Sequence, residues 1–210
     1  MIDLPRLSKP EAGPAPRWFH IAVAGSMVLS SVAAVYGSWR TSQTMAALVK
    51  ENTRLVMANS TPLLEFGTSN MSDGQAQLRF TVQNVGNGPA RMVWFELKSD
   101  GKPVDHMLAM MKSVSPELKG HKVSFITSSI APRLISAGKE IAIFNWTRPP
   151  ASDPVVFEAW DRLNLHRQSK ISVEACYCSV LDACWTSTLD GDIPKPVERC
   201  EAEGHRSPKG

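Results

Sequence analysis

The sequence predicts a mainly-β protein in which an N-terminal membrane-spanning helix and a helical stalk carry one antiparallel β-sandwich with one or two short helices. Three features lead there. The first is an uncharged apolar run near the N-terminus, and the second is a series of short alternating segments divided by turn residues. The third is four cysteines confined to the last 35 residues. A chain of 210 residues is long enough to bury one substantial core.

Residues 1–17 contain Pro5, Pro10, Pro14 and Pro16 and no apolar period, so they read as a flexible tail. Residues 18–39, WFHIAVAGSMVLSSVAAVYGSW, contain no Asp, Glu, Lys or Arg. As a helix they span roughly 33 Å, enough for a bilayer core of about 30 Å. Arg17 and Trp18 at one end, and Tyr36, Trp39 and Arg40 at the other, suit the water–lipid interface. Ala22, Ser26, Ser30, Ala33 and Gly37 lie near one stripe along which a second helix can approach. Ser31-Val32-Ala33 resembles a signal-peptide cleavage site, but the apolar stretch exceeds the usual run of about 7–15 residues. An uncleaved signal-anchor is therefore the expectation.

The stalk, residues 40–60, has no Gly or Pro between Thr41 and Asn59 and continues as helix until Pro62 stops it. Met45, Leu48, Asn52, Leu55 and Asn59 are spaced 3-4-3-4, the a/d rhythm of a coiled coil with Asn at two a positions. Two heptads leave two expectations open: packing of the stalk on its own domain, or pairing of two copies.

Residues 61–200 carry the strand signals. Leu64, Phe66 and Thr68 face one way in a first strand. Gln75–Gln83 alternates, with Ala76, Leu78, Phe80 and Val82 inward. Asn84-Val85-Gly86-Asn87-Gly88-Pro89 is dense turn chemistry, its asparagines together with Gly86 and Gly88 suited to positive φ. In Ala90–Lys98, strict alternation puts Met92, Trp94 and Glu96 on one face and Val93, Phe95 and Leu97 on the other. Asp100-Gly101 is a hairpin signal. Residues 105–119 suggest a short helix or loop over the core, and further strands are expected at Lys122–Ile130 and Glu140–Trp146. Pro154–His166 fits a short helix. The last strands are expected at Lys170–Val180, Trp185–Leu189 and Pro194–Cys200, before a loose polar tail over 201–210. Several short strands at regular turn spacing indicate a sandwich of immunoglobulin-like type. Trp94, Trp146, Trp160 and Trp185 are expected to fill its inter-sheet core.

Cys176, Cys178, Cys184 and Cys200 fit disulfides formed in an oxidising compartment. On a strand, Cys176 and Cys178 point to the same face. A hairpin through SVLDA brings Cys178 opposite Cys184 and leaves Cys176 for Cys200, the favoured one of three connectivities. Free buried thiols and a zinc site are the competing readings, and for zinc the spacing CxC-x5-C-x15-C lacks paired CxxC knuckles.

Charge excludes one class of partner. Residues 1–60 hold six basic and three acidic side chains, and residues 61–210 are balanced at 17 and 17. No basic face large enough for nucleic acid follows, and the excess charge suits a lipid bilayer. The flanks of the apolar helix carry three basic residues each and do not orient it. The cysteines orient it instead, placing the N-terminus in the cytoplasm and the C-terminal domain outside.

Two motifs carry a resemblance. NVGNGPAR (84–91), between two strands, and YCSVLDACW (177–185) are similar to segments of uncharacterised membrane-anchored bacterial proteins with an Ig-like β-sandwich domain. The resemblance implies a single-pass inner-membrane protein with a periplasmic domain, and no activity. Gly-x-Ser-x-Gly, a phosphate-cradling loop and His-Glu-x-x-His are all missing from the sequence, and Pro89 removes an amide that a phosphate site would use. His106, His121 and His166 are expected at the surface, and Met107, Met110 and Met111 beside Asp105-His106 read as core filler before a copper site. The expectation is a non-enzymatic accessory or protein-interaction module without a cofactor. The alternatives are a periplasmic enzyme or metal-handling subunit using the Cys, Met and His residues, and a structural subunit of a larger membrane complex. Expected partners are the bilayer, a protein of unspecified identity and, where the stalk pairs, a second copy.

Overall fold

The computed structural model describes residues 16–205 and Pro208, so most of the N-terminal tail lies outside the described residues. The chain divides into two units, residues 1–54 and 55–210. In the first, helix α1 (Arg17–Ser60) continues without a break for 44 residues into the start of the second unit. It is long and apolar enough to cross a membrane. Within the apolar part, Ser30 and Ser31 each donate to the carbonyl four residues earlier, which suits a segment without water around it, and Thr41 and Thr53 of the stalk make the same local bond. Arg40 Nε donates to the Tyr36 hydroxyl at 3.1 Å, joining two of the expected interface residues.

The second unit is built on two antiparallel sheets. One has the order β1 (Leu64–Ser72), β2 (Gln75–Asn84), β7 (Glu140–Thr147), β5 (Ile126–Thr127). The other runs β10 (Lys195–Val197), β9 (Cys184–Ser187), β8 (Ile171–Cys178), β3 (Ala90–Ser99), β4 (Lys102–Pro103), with β6 (Arg133–Ile135) also on β3. Between the sheets Leu78, Phe80, Val82, Phe144 and Trp146 meet Met92, Phe95, Leu97, Val173 and Tyr177. Helices α2 (Met107–Val114) and α3 (Pro154–His166) close the core with Met107, Met110, Met111, Val156, Trp160 and Leu163. The start of α3 follows from Asp153, whose carboxylate accepts from the Val156 amide at 3.3 Å, with Pro154 in the first turn. The three methionines are thus part of the core, as expected.

Two bulges decide which side chains face inward. In β3 the pairing with β8 slips between Met92 and Trp94, so Val93 is the extra residue. Strict alternation is corrected there: Ala90 and Met92 share the core with Phe95 and Leu97, while Trp94 and Glu96 face away from it. Trp94 is accordingly not part of this core, although Trp146 and, from α3, Trp160 are, and Trp185 packs partly buried against it beside Tyr177. A second bulge, between Phe80 and Thr81 opposite Phe144 and Ala142, keeps Ile141, Phe144 and Trp146 all on the buried side of β7.

Other expectations are revised. The strand expected at 122–130 is reduced to Ile126–Thr127, and that at 194–200 to Lys195–Val197. β1 runs on to Ser72, turning through Asp73-Gly74 at φ 50 and 76, as Asp100-Gly101 does at φ 50 and 74.

Tyr177 has no exposed surface and its hydroxyl makes no well-formed hydrogen bond, although the nearby Leu64 backbone offsets part of the effect of burial. Burial pushes its phenol up to about 12. A folded-state value above the unfolded one means stability is complete below the unfolded value of about 10. It should then be lost as pH rises toward 12. Thermal unfolding between these limits should show a falling Tm in the native chain and a flatter profile in Tyr177→Phe. At neutral pH that variant should cost less than about 1 kcal/mol, since it removes an unpartnered hydroxyl.

Candidate functional site

Three places in the second unit concentrate polar side chains, and the first is the turn after β2. Asn84 has no exposed surface, and its amide makes four bonds. Oδ1 accepts from the amides of Leu63 at 3.3 Å and Gly86 at 3.1 Å. Nδ2 donates to the carbonyls of Gly88 at 2.8 Å and Ile135 at 3.0 Å. The chain leaving α1 is tied to the same turn: the Thr61 carbonyl accepts from Gly88, and the Leu63 carbonyl from Val85 and Gly86. The role expected of the glycines is corrected here. Neither Gly86 nor Gly88 adopts positive φ. A β-carbon on Gly88 would fall onto the Ser60 backbone, and one on Gly86 onto the Leu63 amide. The glycines are needed for close approach of two backbones, and Pro89 completes the turn before β3.

A second place is a cleft of about 640 Å³ beside the β3–β4 hairpin. His166, expected at the surface, is largely buried there, with Nε2 2.8 Å from Ser99 Oγ and 3.7 Å from Asp100 Oδ2. His106 also lines the cleft but is exposed, as is His121 elsewhere. The Ser–His–Asp set is not arranged as a proton relay. Hydroxyl and carboxylate approach the same ring nitrogen, whereas a relay needs them on opposite nitrogens.

The third place is the outer face of the β3–β8–β9 sheet. Cross-strand register puts Arg91, Cys178 and Cys184 in one row and Trp94, Cys176 and Thr186 in the next. All four cysteines meet on this face. Cys178 is bonded to Cys184 across the β8–β9 hairpin, and Cys176 to Cys200, which returns over the sheet after β10. The Sγ atoms of Cys178, Cys184 and Cys200 lie within 4.8 Å of one another, but as disulfides they have no thiolate to offer a metal. No match is found to any family model, curated protein or solved structure.

Beyond Cys200 the chain does not leave the sheet. The His205 ring stacks on Trp94, centroids 3.7 Å apart and planes 2° from parallel, and its Nδ1 lies 3.5 Å from Glu96. Glu96 also pairs with Lys98 at 3.4 Å, and Lys98 with Glu174 at 2.8 Å; that last bond is the main cause of the raised Lys98 pKa. The described part of the tail expected to be loose is therefore held at both ends, by a disulfide and by a stacked imidazole. Sequence reasoning did not find Asn84, Glu96 or His205. A signal existed for Asn84, because it continues the inward series Leu78, Phe80, Val82 and so is a polar residue at a core position.

Proposed function

We propose that this chain is a single-pass, membrane-anchored accessory or protein-interaction module of a bacterial inner membrane, its N-terminus cytoplasmic and its β domain periplasmic. The observation that carries this reading is the pair of disulfides on a domain joined to an apolar helix of membrane length. Disulfides persist outside the reducing cytoplasm. We read the sandwich as immunoglobulin-like in the broad sense of two packed antiparallel sheets, with bridges confined to one sheet where antibody domains join the two. Binding through loops or edges is the common use of such sandwiches.

Paired reporters fused after Gly210 test the orientation. A reporter that requires export should be active and a fluorescent protein that matures only in the cytoplasm should be dark. The opposite pattern would refute both the orientation and its link to the disulfides. A metal-handling reading draws on the close approach of Cys178, Cys184 and Cys200. Stoichiometric zinc or copper in the purified protein would favour that reading over ours.

A further inference from the structure

We infer that two copies of this chain pair in parallel along one continuous seam of α1, from inside the apolar segment to the end of the stalk. This deepens the anchored-module reading and rests on it. The starting point is the unbroken course of α1 from Arg17 to Ser60. With no kink or loop between apolar segment and stalk, the heptad phase of one carries into the other. In the stalk that phase puts Met45, Asn52 and Asn59 at a and Leu48 and Leu55 at d. Met45, Leu48 and Leu55 are each more than half exposed in the single chain, in a segment meant to stand in water.

Counted back toward the N-terminus, the same positions fall on Thr41, Ser38, Ala34, Ser31, Met27 and Ala24. All but Met27 are small residues, which allow two helices to approach closely within a bilayer. Met27, at d, is the one bulky residue on the seam between Ala24 and Thr41; the seam does not extend to His20 and Arg17, which the same count reaches at d and a. Trp18, Tyr36 and Trp39 fall at b, f and b, free to face the lipid interface. Arg40, Lys50 and Glu51 fall at c, f and g. The competing stripe of Ala22, Ser26, Ser30, Ala33 and Gly37 falls at f, c and g, away from the seam. A heptad repeat kept over this length requires the two helices to wrap left-handed, because a straight helix drifts by about 20° per heptad.

The chemistry of the seam identifies the occupant as a second copy. An Asn at an a position is satisfied across a parallel pair by the same residue of its twin, and Asn52 and Asn59 repeat that one heptad apart. Copies anchored in one membrane are parallel by construction. The e positions carry Val49 and Val56, which widen the apolar strip and offer no charge code for a different chain.

The test uses the full chain in native membranes, native bridges intact, with one cysteine added at a time and a mild oxidant. Disulfide-linked dimer should peak for cysteine at 45, 48, 52 and 55 and fall to background at 43, 47, 50 and 54. Leu48→Glu combined with Leu55→Glu should abolish the dimer formed through position 52 while leaving the Tm of the domain unchanged. Within the apolar segment, Ser31→Leu should lower the dimer yield several-fold and Ser30→Leu should not. A flat profile, a maximum on the opposite face or the reverse leucine result would overturn the seam. Alkaline carbonate extraction separates this failure from that of the underlying reading. A chain retained in the membrane with a flat profile loses only the seam, whereas a chain released by carbonate loses both.

Discussion

Asn84→Ala should destabilise the β domain by about 3–5 kcal/mol, the largest effect expected of any single polar substitution in it. The variant strips the partner from two buried carbonyls, Gly88 and Ile135, and from the amide of Leu63. Gly86 keeps a weaker acceptor in the Leu63 carbonyl at 3.2 Å, so the loss is smaller than four full bonds. For a domain of this size a fall in Tm of roughly 10 °C follows. Asn84→Asp is the sharper control. It preserves an oxygen for the two amides but turns a second one toward two carbonyls, and should be no better tolerated than alanine. A loss below about 1 kcal/mol for both variants in thermal unfolding would show that the turn does not depend on this side chain.

The second large effect concerns the tail. Removing the Cys176–Cys200 bridge with paired alanines should cost about 3.5 kcal/mol, by the loop-entropy relation for a sequence separation of 24. The Cys178–Cys184 bridge closes a much shorter loop, separation 6, and should be worth about 2 kcal/mol. The difference has a local signature. Without Cys200 the tail over Trp94 is left to the His205 contacts, so Trp94 should become accessible to acrylamide and the segment after Val197 to protease. Loss of the shorter bridge should leave Trp94 shielded. Equal quenching in the two variants would mean that the tail is held by something other than its disulfide.

Legibility of the fold in the sequence varied with the length of the pattern. β2 was readable because ten residues alternate without interruption, and α1 because it is long and its apolar part excludes charge. β3 was misread at a single residue: an extra Val93 is invisible to strict alternation, yet it reassigns Met92, Trp94 and Glu96. β6 has three residues, too few to show any period, and exists because β3 offers it an edge. The strand expected at 122–130 shows the opposite error, since Val123, Phe125 and Thr127 alternate but only Ile126 and Thr127 find a partner in β7. At the site, the two-residue spacing of Cys176 and Cys178 was enough to put both on one face. That Trp94, Glu96 and His205 gather beside them depends on the bulge and on a tail with no pattern to read.

The clamp around Asn84 also determines how the domain answers to being pulled. Tension applied through α1 arrives at Ser60 and meets the bonds that tie Thr61 and Leu63 to the turn before it reaches Leu64. Those bonds divide the load between the end of β2 and, through Asn84 and Ile135, the end of β6. β1 therefore cannot be unzipped from β2 bond by bond while the clamp is closed.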